Sequence, residues 1–232
     1  MPTLLLSLET SSPVCSVALH RVADATLVGQ SELRLDKSHS THLTVLIEQL
    51  LANTGHQLSD LAAIAVSDGP GSYTGLRIGG AAAKGLCFAL DIPLIAISTL
   101  RALAVQVAVG TASPENFLYC PMLDARRMEV YAALYTREGE EVLAPTPLLL
   151  EAGTLAEQLA THSVLFFGHG ATKFQALLGE HPHAGFLTGI EPSAVSVGAL
   201  AVAAYHRQEF QDVAYYEPFY LKEVYTTTPK GN

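Results

Sequence analysis

Leu118-Tyr119-Cys120-Pro121-Met122-Leu123-Asp124-Ala125 can be laid on Thr3-Leu4-Leu5-Leu6-Ser7-Leu8-Glu9-Thr10 without a gap. In both stretches an apolar run ends on a carboxylate. Kept at the same offset, Val130 to Leu134 falls on Cys15 to Leu19. Each half therefore opens with an apolar strand, a polar turn and a second strand. Self-similarity at a fixed offset marks a duplicated unit. In the first copy the turn is Thr10-Ser11-Ser12-Pro13, between Leu4 to Leu8 and Val14 to Leu19, which reads as a β-hairpin.

Outward from that hairpin, Thr26 to Leu35 adds a third strand. Ser40 is a candidate N-cap for a helix with Leu43, Leu46, Ile47, Leu50 and Leu51 at helical spacing, which Gly55 ends. Leu61 to Ser67 reads as a strand, Asp68-Gly69-Pro70-Gly71-Ser72 as a tight turn, and Gly75 to Leu90 as a helix. Pro93 to Ile97 and Thr99 to Val109 give a further strand and helix, followed by a linker from Gly110 to Asn116. Alternating β and α elements predict a mixed sheet covered by helices. The second half is expected to hold a polar region to Pro147, a short helix at Leu155 to Leu159 and a strand at Val164 to Phe167. The turn Gly168-His169-Gly170 then opens a helix from Thr172 to Leu178, and a small-residue helix runs from Ser193 to Tyr205. The expected division is an N-terminal lobe, 1–109, and a C-terminal lobe, 110–232, with the aromatic segment Tyr216 to Lys222 docking and the C-terminal segment packing back on the first lobe.

With 232 residues, 49% hydrophobic and 15% charged, the chain can bury a sizeable core. A net charge of −9 repels phosphate backbones, so a partner is expected to supply most of any basic surface for nucleic acid. Cys15, Cys87 and Cys120 lie far apart in apolar runs and read as buried, reduced thiols. No run is long enough to span a bilayer, and the expected location is the cytoplasm.

Glu9 and Asp124 are candidate holders of Mg²⁺ beside a phosphate, because a hairpin turn offers N–H groups to an anion. The plain alternative is that each only closes its own turn. The turn Gly69-Pro70-Gly71-Ser72-Tyr73-Thr74-Gly75 precedes a helix but matches neither a Walker A loop nor a dinucleotide fingerprint. Gly79, Gly80, Ala81, Ala82, Ala83 and Gly85 strip side chains from that helix. Something is expected to approach its backbone closely, either the chain's own sheet or a helix of another subunit. His39 and His42 read as surface or capping residues rather than metal ligands. Gly168 and Gly170 flank a candidate adenosine-binding turn.

The segments Leu6-Ser7-Leu8-Glu9-Thr10-Ser11, Gly69 to Gly79, Asp124-Ala125-Arg126 with Glu129-Val130-Tyr131, and the tail Glu217-Pro218-Phe219-Tyr220-Leu221 together resemble the TsaB (YeaZ) family across nearly the whole chain. The resemblance implies the two-lobed actin-like (ribonuclease H-like, ASKHA) α/β fold. It also implies a non-catalytic scaffold role in tRNA threonylcarbamoyladenosine biosynthesis. The implied partners are a TsaD-like catalytic subunit and a TsaE-like ATPase, with a homodimer in isolation, tRNA engaged only through the complex, and no membrane. The pairing surface it implies lies on the first lobe's two helices: His39, Leu43, Leu46, Ile47 and Leu50 on one, Tyr73, Leu76, Arg77, Gly79, Gly80 and Ala83 on the other. TsaD carries a His-x-x-x-His metal motif, whereas Ile97 to Ala102 here holds no histidine, so the chain resembles an inactive paralogue with no required cofactor and at most weak or vestigial ATP or ADP binding.

Two departures stand out. Arg127-Met128 replaces the Met-Gly common in the family, which puts bulk where a phosphate would need backbone access. Lys222 replaces an arginine of the tail motif. The competing expectations are an Mg-ATP-dependent small-molecule kinase and a free-standing nucleotide sensor on the same fold.

Overall fold

Strand β1 (Leu4–Glu9) is buried along its entire length. Its side chains do not alternate because helices cover both faces of its sheet and each face needs apolar contacts. On one side β1 pairs antiparallel with β2 (Cys15–Arg21), which pairs antiparallel with β3 (Leu27–Leu33). On the other side it runs parallel to β4 (Leu61–Gly69), and β4 runs parallel to β5 (Leu94–Ser98). The parallel pairs require crossovers, which α1 (His39–Thr54) and α2 (Tyr73–Leu90) supply, and α3 (Thr99–Gly110) follows β5. The computed structural model describes residues 3–35, 39–112 and 117–222.

The second half repeats the plan. Its strands are β6 (Phe117–Asp124), β7 (Glu129–Tyr135), β8 (Glu141–Leu149), β9 (Ser163–Phe167) and β10 (Ala184–Phe186), and its helices are α4 (Ala156–Thr161), α5 (Ala171–Leu178) and α6 (Ala194–His206). The sheet orders are β3-β2-β1-β4-β5 and β8-β7-β6-β9-β10, the same topology twice. Two such units in tandem make the two-lobed actin-like fold.

The lobes are interlocked through their last helices. Leu4, Leu6 and Leu8 face α1 and α2, while Leu5 on the opposite face packs with Val197, Ala201 and Val202 of α6. Helix α3, which ends the first half, packs Leu100, Leu103, Ala104 and Val107 on Tyr119, Leu123, Ala133 and Phe167 of the second sheet. The outer face of that second sheet is closed by Leu159 of α4 and Phe174 of α5.

Two strands were not expected from the sequence. The stretch to Pro147, read as a polar region, holds β8, and the loop after α5 holds the short β10. Both are edge strands, and Pro145 and Pro147 in β8 fit there because an edge leaves one side without partners to hydrogen-bond. Helix α1 begins at His39, so Ser40 lies inside its first turn rather than capping it. Of the expected linker from Gly110 to Asn116, residues 113–116 lie outside the described residues.

Candidate functional site

The two hairpin turns carry the same internal bond. Glu9 Oε1 accepts the Ser11 N–H at 2.6 Å, and Asp124 Oδ1 accepts the Arg126 N–H at 2.6 Å. Each carboxylate thus closes its turn on the residue two positions on, as acidic side chains do in turns. Beyond that bond the two environments diverge. Glu9 is fully buried, its second oxygen has no hydrogen-bond partner among the described residues, and burial pushes its pKa up against the pull of nearby Ser11, Ser67 and Thr10. Asp124 reaches solvent. Burial would raise it too, but the Lys173 ammonium at 2.8 Å and the Arg126 N–H outweigh that and hold it below the usual carboxylate range. Lys173, from α5, also donates to the Arg127 carbonyl at 2.6 Å. A Mg²⁺ site fits poorly here, since a fixed ammonium already neutralises one carboxylate and the other is fully buried. Among the described residues no three His, Cys, Asp or Glu side chains group to hold a metal ion.

Gly168 and Gly170 are explained by packing. A Cβ on Gly168 would lie 2.5 Å from the Met122 carbonyl oxygen, and one on Gly170 would lie 2.9 Å from the Leu123 carbonyl carbon. The β9–α5 turn needs these glycines to press against β6. Between them stands His169, whose Nδ1 lies 3.8 Å from Glu191 Oε2, too far for a hydrogen bond. Neither atom has another partner among the described residues. Burial lowers the His169 pKa, opposed by the carboxylates of Glu191 and Asp124. The pair lines a cleft of about 240 Å³ with Gln175 and Thr188. An adjoining cleft of about 200 Å³ sets Arg34 and Val14 of the first lobe against the same His169 and Glu191.

The expected pairing surface on α1 and α2 requires correction. His39, Leu43, Leu46, Ile47 and Leu50 are buried, the four leucine and isoleucine side chains in the core under the first sheet, as are Leu76 and Ala83. On Gly75 a Cβ would land on the Thr10 carbonyl oxygen, and on Gly79 it would land on the Thr10 hydroxyl. Gly80 is covered by the chain's own tail, with Pro218 at 3.4 Å and Tyr216 at 3.5 Å from a would-be Cβ. At Gly75, Gly79, Gly80 and Ala83 the small residues are therefore sealed inside this polypeptide, and the step to a partner fails at these positions, whereas Ala81 and Gly85 remain exposed.

Tyr73 and Arg77 are exposed, and they begin a second stripe at helical spacing: Tyr73, Arg77, Ala81, Gly85 and Phe88. Nothing lies within 4 Å of a Cβ on Gly85, and Phe88 is 84% exposed. The sequence signal for this stripe was its spacing from Tyr73.

The tail forms a strap. The Gln211 N–H donates to the Leu94 carbonyl at 2.8 Å, Lys84 Nζ donates to the carbonyls of Ala214 at 3.2 Å and Tyr216 at 3.0 Å, and the Phe219 N–H donates to the Asp68 carbonyl at 2.8 Å. The Tyr220 ring lies 4.9 Å from that of Tyr73, and Lys222 forms an ion pair with Glu129 of the second lobe. The three cysteines are free and buried. Burial pushes the thiols of Cys15 and Cys87 up to about 11 and about 12, with Glu9 adding to the rise at Cys15, so both stay protonated.

Residues 33–224 match the family described as TsaD, tRNA N6-adenosine threonylcarbamoyltransferase. The chain is 33% identical to the tRNA threonylcarbamoyladenosine biosynthesis protein TsaB of Bacillus subtilis over 75% of its own length and 74% of that protein's. The chain belongs to the TsaB family. The TsaB of Haemophilus influenzae is 40% identical over 58% of this chain, a match that spans 54% of that relative, about half its length. The solved structure of YeaZ from Pseudomonas aeruginosa superposes with a TM-score of 0.76 at 30% identity, covering 94% of this chain and all of that one. In this TsaB family member the Gly69 to Gly79 motif seats the first hairpin turn against α2 within its own lobe.

Proposed function

We propose that this chain is the scaffold subunit of a tRNA threonylcarbamoyladenosine biosynthesis system, non-catalytic in itself. It pairs with a TsaD-like catalytic subunit, helps recruit a TsaE-like ATPase, and acts in the cytoplasm on tRNA held by the complex. One observation carries the reading. The carboxylates at the two hairpin turns are each taken up by the chain's own groups, Asp124 by Lys173 and Glu9 by burial, while α2 turns an uncovered stripe outward. Family likeness supports the partner, because relatives carry the TsaB name and the matching family is TsaD.

The pairing face in this reading is the outer stripe of Ala81, Gly85 and Phe88 with Val45 of α1, all exposed. Small residues in its middle let a partner helix approach closely, and Phe88 supplies an anchor for a pocket. In isolation the same face pairs two copies of the chain. Reconstitution of tRNA modification with a TsaD-like subunit, with and without this chain, tests the proposal. Modification that does not depend on the chain refutes it, as does turnover by the chain alone.

A second reading, a nucleotide sensor, has one observation in its favour: the His169–Glu191 cleft at the lobe junction, with polar atoms that lack partners. Calorimetric titration with ADP and ATP decides it, since a sensor binds at micromolar concentration without turnover. The kinase reading needs Asp124 free for Mg²⁺, and Lys173 stands against it.

A further inference from the structure

The turn between β6 and β7 holds two consecutive arginines, Arg126 and Arg127, at φ of +70° and +45°. L-residues adopt this left-handed region reluctantly, and glycine or asparagine is the usual choice at such positions. Both arginines are exposed, and among the described residues neither has an ion-pair partner. Two cations without an ion-pair partner among the described residues are thus held side by side at the tip of one hairpin.

Their neighbours link the turn to the strap. From Arg127 the chain passes Met128, itself 41% exposed, to Glu129, which pairs with Lys222 of the strap. Two residues back along the strap, the Tyr220 ring packs against Tyr73 tilted by 48°, and Arg77 lies over the Tyr73 ring at 5.5 Å. Phe219, 48% exposed, adjoins Tyr220. Lys173 adds a fifth cation beneath the turn. The acidic groups facing this surface are Asp124 and Glu129, each paired with a lysine, and Glu217 and Asp68 near Tyr220, against five cations. In a chain of net charge −9 the patch is thus locally basic and bears open aromatic rings.

We infer that the arginine turn, with the Tyr73–Tyr220 pair beside it, is a contact surface for a single-stranded RNA segment. Guanidinium groups take the phosphates, and the rings offer faces on which unstacked bases lie. An acidic peptide would use the cations but gain little from the rings. The inference deepens the scaffold reading, since it makes this subunit share in holding the RNA instead of leaving it wholly to the partner.

The test is binding of a fluorescein-labelled 17-nucleotide RNA stem-loop to the purified full chain by anisotropy, across a salt series starting at low salt. In the variant Arg126→Gly/Arg127→Gly, glycine suits the backbone, so the hairpin is expected to be at least as stable as in the wild type while affinity falls roughly ten-fold. The slope of log K on log salt should become shallower by about 1.4 for two lost contacts at ~0.7 each. Tyr220→Leu is expected to abolish the preference for the loop over a fully paired duplex. Unchanged affinity in the double glycine variant overturns the inference, as does equal competition by poly-glutamate or no measurable binding by the wild type. Capture of a TsaD-like subunit by the same variant is measured in parallel. Normal capture with unchanged RNA affinity sinks this inference alone, whereas lost RNA affinity with no capture by either form sinks the scaffold reading alone.

Discussion

Lys173 places its ammonium 2.8 Å from Asp124 Oδ1 and 2.6 Å from the Arg127 carbonyl, tying α5 to the second hairpin. The equivalent acid in the first lobe, Glu9, has no ion-pair partner among the described residues and is shut in instead.

Replacing that ammonium tests whether the tie is structural. The folded-state pKa of Asp124 is depressed, so its contribution is present above the unfolded value near 4 and fades as pH falls through the lower folded value. Lys173→Met is expected to lose less than about 1 kcal/mol at neutral pH, because the carboxylate is more than a third exposed and screened. Urea titrations at pH 7 and pH 2.5 should show the difference at the first pH and not at the second.

Glu9 has the opposite sign. Its folded pKa is raised, so its stabilising share is fully present below the ordinary carboxylate value of 4.5 and is lost as pH rises through the folded value. Glu9→Gln keeps an oxygen for the Ser11 N–H and removes the buried charge. The variant should be more stable than the wild type by on the order of 1 kcal/mol at pH 8, and the two should converge near pH 4. A catalytic carboxylate would not give that pattern without loss of tRNA modification, so activity is measured alongside.

His20 is 2% exposed, its Nδ1 has no partner among the described residues, and burial lowers its pKa. A depressed histidine is neutral in the fold and takes up a proton on unfolding, so stability drops as pH falls below about 6.5. His169 contributes with the same sign. His20→Leu should flatten the fall of the denaturation midpoint between pH 7 and pH 5, and an unchanged slope would assign it to other groups.

The two faces of α2 separate by substitution. Gly75→Ala drives a methyl into the Thr10 carbonyl, a clash with backbone that cannot move aside, and should destabilise by ~3 kcal/mol or more. Gly80→Arg should displace the strap, seen as faster proteolysis near Pro218, with only an indirect effect on pairing. Gly85→Arg meets open space, so the melting temperature should stay within a few degrees while capture of a TsaD-like subunit falls at least ten-fold. Unimpaired capture by Gly85→Arg would move the pairing surface elsewhere.

The duplication was legible because each sheet's central strand is buried on both faces, which leaves a solid apolar run that can be found twice. The edge strands carried no such run, and the prolines that β8 tolerates at an edge are the residues that read as a break. Helix α2 kept its two readings open for a related reason. Its small residues occur around the whole circumference, so spacing could not say that Gly75 and Gly79 meet the hairpin turn, Gly80 the strap and Gly85 nothing. The positive φ of Arg126 and Arg127 has no signature in composition, since nothing in a pair of arginines announces a left-handed turn.

The exchange of α3 and α6 between lobes reaches back to synthesis. As the chain leaves the ribosome, Leu5, Ala63 and Ile95 on the first sheet stay uncovered until Val197 and Ala201 emerge. A message cut short before α6 therefore yields a product whose earliest strands stay greasy on one side, a ready mark for chaperones and proteases.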